Sequence, residues 1–368
     1  MSKIFTSAAF HAVILSLLVC GATGTVAAAQ QSHLLAIAAC PPWKAIKDDP
    51  KSTKLMAESC EKDIATIVPA LRQSFGIAEG NVTTRLNVEA DAAGVTQAIT
   101  SLAKRAKRED RVILYINLHG GALAAKYAGY AVEDEILATY TAEEPKDFSA
   151  ATANDIWMTV REVRDLIDQI EAAEVIVVFE VCESGSSLKD FRYDLARRYE
   201  KGWHGREAVI FSSSAYQAAT FNEAGTVALF TETFARNLSK TPSGNIRDIF
   251  EAAALETHRS RRTTCMKEDN LDTLFDNRSA YLEGCTQVPN VFDPYGLLDD
   301  IQVGGRTMAS RWNEIKNRKP EAKTASQPDA DPFAWAQAYV GPGNQAHPVS
   351  VGYPPMMAGP YGQYLWQR

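Results

Sequence analysis

The chain lacks several features that would settle its class at once. Its N-terminal apolar run, Ala8 to Val19, falls short of the ~20 residues a bilayer-spanning helix needs, so the run does not read as a membrane anchor. There is no excess of basic charge. The 38 Lys and Arg are outnumbered by 45 Asp and Glu, for a net charge of -7, which argues against a partner whose phosphates must be neutralised, nucleic acid above all. No C-x-x-C or H-E-x-x-H spacing occurs, so neither a metal site nor a dithiol redox centre is indicated, and the residues call for no cofactor. No internal repeat of fixed period is present. Histidine is scarce as well, with six in 368 residues, and that scarcity narrows the choice of a general base.

What the N-terminus does contain is Lys3, the apolar run, and then Ala27-Ala28-Ala29 before Gln30. That is the layout of a secretory signal, with residues 1–29 removed and the mature protein exported to a periplasm or beyond without stable membrane insertion. Export changes the meaning of cysteine, because paired thiols oxidise outside the cytosol. Of the six, Cys20 leaves with the signal. If Cys182 is the free thiol, four remain: Cys40, Cys60, Cys265 and Cys285. They permit three connectivities. The expected one is sequence-local, Cys40 with Cys60 and Cys265 with Cys285.

From Leu34 onward short apolar runs alternate with stretches of helical period. This pattern builds an α/β domain, a three-layer sandwich whose mostly parallel sheet is covered by helices on both faces. Strands are expected at Leu34 to Ala39, Thr83 to Val88, Val112 to Leu118, Val175 to Val181 and Ala208 to Ser212. Helical stripes lie between and after them. Residues 133–147 read as a long acidic connection. The folded unit spans residues 30–300, and the extension 301–368 turns rich in Pro, Gly, Ala and Gln, flexible from about Lys319.

Ligands of a parallel sheet bind beyond the carboxyl ends of its strands, so polar residues placed there are the natural candidates. The run Val112 to Leu118, interrupted only by Asn117, ends at His119-Gly120-Gly121, and the run Val175 to Val181 ends at Cys182-Glu183-Ser184-Gly185. A thiol becomes nucleophilic when an imidazole or a following helix N-terminus lowers its pKa, and Cys182 is expected to have both. Amides at Gly120 and Cys182 are placed to hold an oxyanion. The other histidines lie in the N-terminal segment, near the mature terminus, in a turn, at a helix end or in the tail.

The segment Glu180-Val181-Cys182-Glu183-Ser184-Gly185-Ser186 closely resembles the nucleophile segment of legumain-type cysteine peptidases. Leu114 to Gly121 resembles the His-Gly strand that precedes it in legumains, caspases and metacaspases. Ser212-Ser213-Ser214-Ala215, followed by Phe221-Asn222-Glu223-Ala224-Gly225, is similar to the region after the next strand. The likeness covers roughly residues 33–260. It implies a caspase-like fold and hydrolysis of a peptide or protein substrate, with His119 as base and Cys182 as nucleophile. It also places Glu180, with Glu183, Ser213 and Glu223, about the pocket for the side chain before the scissile bond. A carboxylate there favours Lys or Arg by charge, or an amide by hydrogen bonding. Two departures stand out: the caspase Gln-Ala-Cys is absent, and Cys40-Pro41-Pro42-Trp43 occupies the stretch where legumains carry an Asn that orients the histidine. A transpeptidase using the same dyad, or a scaffold that has lost turnover, are the alternatives.

Overall fold

The computed structural model describes residues 30–40, 50–122, 135–141, 157–214, 217–241, 243–268 and 287–304. The N-terminal segment to Ala29, the extension after Gly304 and the Cys265–Cys285 pairing lie outside them.

The elements run β1 (Ser32–Ala39), α1 (Pro50–Ser74), β2 (Val82–Leu86), α2 (Ala92–Arg105), β3 (Arg111–Ala122), β4 (Glu135–Ala138), β5 (Met158–Thr159), α3 (Val160–Ile167), β6 (Glu174–Glu180), α4 (Leu188–Glu200), β7 (Arg206–Phe211), α5 (Leu229–Lys240), α6 (Ile246–Glu268), β8 (Asn290–Phe292) and α7 (Leu297–Asp300). The sheet order is β2-β1-β3-β6-β7-β8. Every pairing along it is parallel except the last, β7 with β8. This is the expected α/β three-layer sandwich.

The central strands are apolar on both faces because both faces are covered. Leu35, Ile37, Leu114, Ile116, Val177, Phe179, Val209 and Phe211 meet Val95 and Ile99 of α2, Val163 and Ile167 of α3, and Phe191 of α4. The residues between them, Leu34, Ala36, Ile113, Tyr115, Ile176, Val178, Ala208 and Ile210, meet Ile67 and Leu71 of α1, Phe230 and Phe234 of α5, and Phe250 of α6. Local sequence starts the helices where they start. Asp91 caps α2 by accepting from the Gly94 amide at 2.6 Å, and Thr159 and Glu162 form a capping box on α3.

Three short strands depart from the expectation. β4 lies inside the stretch read as an acidic connection, β5 has two residues, and β8 three. Such lengths are below any readable period, so only pairing partners define them. β3 is also longer than its apolar run. It continues through His119-Gly120-Gly121 and exchanges its parallel neighbours for antiparallel β4, with His119 opposite Ala138 and Gly120 opposite Leu137. His119 therefore sits within a strand that changes sheets, and does not simply follow one.

Buried charges at the other end of the strands are matched. Arg111 and Arg206 both pair with Glu174, and Arg206 pairs with Asp300. On β7, fully buried Glu207 is held by Arg164 and Arg198. Glu174 and Glu207 are each shared between two arginines, so removing either acid would leave buried positive charge less compensated.

Cys40 and Cys60 are joined, as expected, with Cα atoms 5.6 Å apart. The bond ties the end of β1 to α1. Closing a loop of 20 residues restricts the unfolded chain by about 3 kcal/mol. The double variant Cys40→Ser/Cys60→Ser is expected to lose about that much in urea denaturation, and an unchanged midpoint would show that the bond contributes nothing to stability.

Candidate active site

The β3–β6 register aligns Asn117 with Glu180. His119 and Cys182 each stand two residues beyond that pair. Side chains alternate along a strand, so Tyr115 and Asn117 of β3 and Glu180 at the end of β6 point to the face covered by α1 and α5, where they bond Thr231 and Asp63. The β1–β3 register, with Ala39 opposite Leu118, carries Cys40 to the level of His119. Cys40, His119 and Cys182 thus follow closely on the last parallel pairs of three neighbouring strands.

Next to the Asn117–Glu180 pair lies a buried polar cluster. Asp63 of α1 accepts from Asn117 Nδ2 at 2.7 Å and from the Ala228 amide at 2.8 Å. Thr231 of α5 donates to Glu180 at 2.7 Å and shares a hydrogen bond of 2.7 Å with the Tyr115 hydroxyl. Asp63 is 1 % exposed and Glu180 2 %. Glu180 Oε1 has no hydrogen-bond partner. Among the described residues no cation pairs with either carboxylate, in contrast to Glu174 and Glu207.

Burial pushes the Glu180 carboxyl up to about 8, with the Asp63 charge adding to the rise and the Thr231 hydrogen bond opposing it. Asp63 is raised to about 6, again by burial, against its bonds from Ala228 and Asn117. Both shifts raise the acid above its unfolded value. Their contribution to stability is therefore full below the ordinary carboxylate pKa and is lost as pH rises through about 6 and then about 8.

Cys182 is half-buried, and its Sγ lies 3.7 Å from the Ala219 carbonyl. Glu183 follows in the left-handed region at φ 58°, an uncommon conformation for a residue with a side chain. The turn is held by Glu183 N to Gln217 O at 2.7 Å and Gly185 N to Ser213 O at 3.0 Å. The expectation of a lowered thiol pKa does not hold in this geometry. Burial pushes Cys182 up to about 11, with the charges of Glu183 and Glu180 adding, and pushes His119 down to about 4. Desolvation disfavours both ionised forms, and the neighbouring acids add to the rise for the thiol alone.

The remaining expected residues are spread around this turn. Fully buried Ser213 donates to the Val181 carbonyl at 3.2 Å, and its amide bonds Ser184 Oγ, so its polar groups brace the nucleophile segment. Glu223 is exposed in the turn that Asn222 organises through its bonds from the Thr226 and Val227 amides. Gly120 packs so closely that a Cβ there would lie 2.2 Å from Val181 Cγ1 and 3.1 Å from the Ile136 carbonyl. Asp63, Thr231 and Gln287 were not singled out from sequence. Asp63 did leave a trace: at helical spacing from Cys60 and Ile67 it lies on the buried stripe of α1, where an acid is out of place.

No family model matches the chain, and no curated protein matches it. Among solved structures, a Geobacter sulfurreducens protein superposes with a TM-score of 0.44 at 17% identity, covering 71% of this chain and 92% of that one. Caspase-1 from Spodoptera frugiperda gives 0.40 at 12% identity, covering 76% and 92%. Raptor from Chaetomium thermophilum gives 0.37 at 14%, covering 57% of this chain and 18% of that one. These are likenesses at low identity and low superposition score, and no assignment rests on them.

Gly120→Ala must displace Val181, the neighbour of Cys182. The expected result is a loss of 1–3 kcal/mol, or about that order, by overpacking, read from thermal unfolding. Unchanged stability would show that the His-Gly strand can shift away from the nucleophile segment.

Proposed function

We propose that this chain is an exported cysteine peptidase of the caspase and legumain type. The observation that supports the reading is that His119 and Cys182 each stand two residues beyond the Asn117–Glu180 pair of adjacent parallel strands, near a buried acid pair that has no cation among the described residues.

With the thiol raised and the imidazole lowered, the resting dyad is neutral. His119 accepts the thiol proton as Sγ attacks the peptide carbonyl, a carbon–sulfur bond forms, and the oxyanion is held by the Gly120 and Cys182 amides. Collapse breaks the carbon–nitrogen bond, and the leaving amine takes the proton from His119. Water then cleaves the thioester and restores the thiol. No metal or organic cofactor enters these steps. The Cys40–Cys60 bond supports a periplasmic or secreted location, where such bonds persist.

The acid pair supports a preference for Lys or Arg before the scissile bond. A buried carboxylate with an unfilled acceptor gains most from a cation, which supplies both charge and donors. Because Glu180 holds its proton up to about 8, binding a basic side chain requires that proton to leave. For basic substrates kcat/KM is therefore expected to rise with pH between about 6 and 8, up to tenfold per unit, and Glu180→Gln is expected to flatten the rise and weaken binding of basic residues. A pH profile identical in Glu180→Gln would remove Glu180 from the pocket.

The reading as a whole is tested with fluorogenic peptides varied at the residue before the scissile bond, comparing the mature protein with Cys182→Ala and His119→Ala. Both variants are expected to lose at least about a hundredfold in kcat/KM. If the mature protein cleaves no peptide and no alkylating peptide labels Cys182, the chain is a caspase-like scaffold without turnover.

A further inference from the structure

Asp63 is a buried acid that the chemical steps above do not use, yet its two oxygens join three separate parts of the fold. One accepts from Asn117, two residues before His119 on β3, and the other from the amide of Ala228. Ala228 is the last residue before α5, and its own side chain makes no cap. The Asp63 carboxylate therefore serves as a borrowed cap, with its charge at the positive end of a 12-residue helix.

Ala228 also closes the loop that approaches the thiol. It bridges to Phe221, Leu229 N bonds Thr220 O at 2.7 Å, and Asn222 N bonds Val227 O at 2.8 Å. The same loop carries Ala219, whose carbonyl lies against Cys182 Sγ, and its Gln217 carbonyl receives the Glu183 amide. At its far side Gln287 holds Thr220 through the amide and hydroxyl, at 3.0 and 2.8 Å. On the α1 side the disulfide at Cys60, one helical turn before Asp63, anchors the helix to the end of β1. The Asp63 side chain thus fastens the base of the loop to α1 by a hydrogen bond.

We infer that Asp63 is a positioning residue, which holds the 217–228 loop against the Cys182 thiol and sets the loop's place relative to the histidine strand. The inference rests on the peptidase reading for its consequence in turnover, but its structural content does not. Asp63→Ala removes both bonds. Asp63→Asn keeps an oxygen for the Ala228 amide while losing the charge, and it carries the test if Asp63→Ala does not fold. His33→Gln, at the opposite end of the sheet where His33 meets Asp110, is the control for general loss of stability.

Three readouts are made on the mature protein: hydrogen exchange of the Ala228 and Leu229 amides, the rate at which iodoacetamide modifies Cys182, and kcat and KM on a basic-residue peptide. Loss of a hydrogen bond to a charged acceptor predicts exchange faster by about 10- to 100-fold in Asp63→Ala, and less in Asp63→Asn. Alkylation should change by about fivefold or more, and kcat should fall about tenfold or more with KM within about threefold. His33→Gln should move none of the three. Wild-type exchange and alkylation in folded Asp63→Asn and Asp63→Ala would overturn the inference, and so would equal changes in His33→Gln. If no peptide is cleaved even by the wild type, the peptidase reading fails, while exchange and alkylation still decide the role of Asp63.

Discussion

Parallel pairing of β3 with β6, in the register that sets Asn117 opposite Glu180, is the constraint from which the site follows. A shift of one residue would send Asn117 and Glu180 to opposite faces of the sheet, because side chains alternate with period two. A slip in either strand would also repack both layers, since Leu114, Ile116, Val177 and Phe179 fill one and Ile113, Ile176 and Val178 the other. The core thereby fixes the level of the imidazole and the thiol without any direct bond between them being needed.

Two buried acids meet at the Asn117–Glu180 pair. The sheet's opposite end shows how this protein treats buried carboxylates when they are structural: Glu174 and Glu207 each sit between arginines. Among the described residues Asp63 and Glu180 have hydroxyl, amide and backbone donors but no cation, and burial raises their carboxyls. Among the described residues no arginine reaches these two, and the cysteine near them, Cys182, is a free thiol. That contrast distinguishes the cluster from ordinary core polarity.

Desolvation also decides the character of the dyad. The sequence places an imidazole and a following helical turn near Cys182, and either would favour a thiolate in a hydrated setting. Packing removes water from both groups, which lowers the imidazole and raises the thiol, and Glu183 and Glu180 add to the rise of the thiol.

The alternation of apolar runs and helical stripes was enough to read the α/β sandwich, because long two-faced strands and amphipathic helices leave periodic traces. The polar residues at the ends of two of those strands, His119 and Cys182, were readable for the same reason, and Cys40 with Cys60 followed from local spacing. β4, β5 and β8 were not readable, being too short to carry a period. Asn117 showed only as a break in an apolar run, and Asp63 as an acid on a buried stripe. Sequence determines which residues must be buried and where each strand stops. Only the tertiary structure decided which side chains meet across strands and helices, that Asp63 joins Asn117 to Ala228, and that burial raises the Cys182 thiol and lowers His119, because those depend on distances and hydration set by the packed fold.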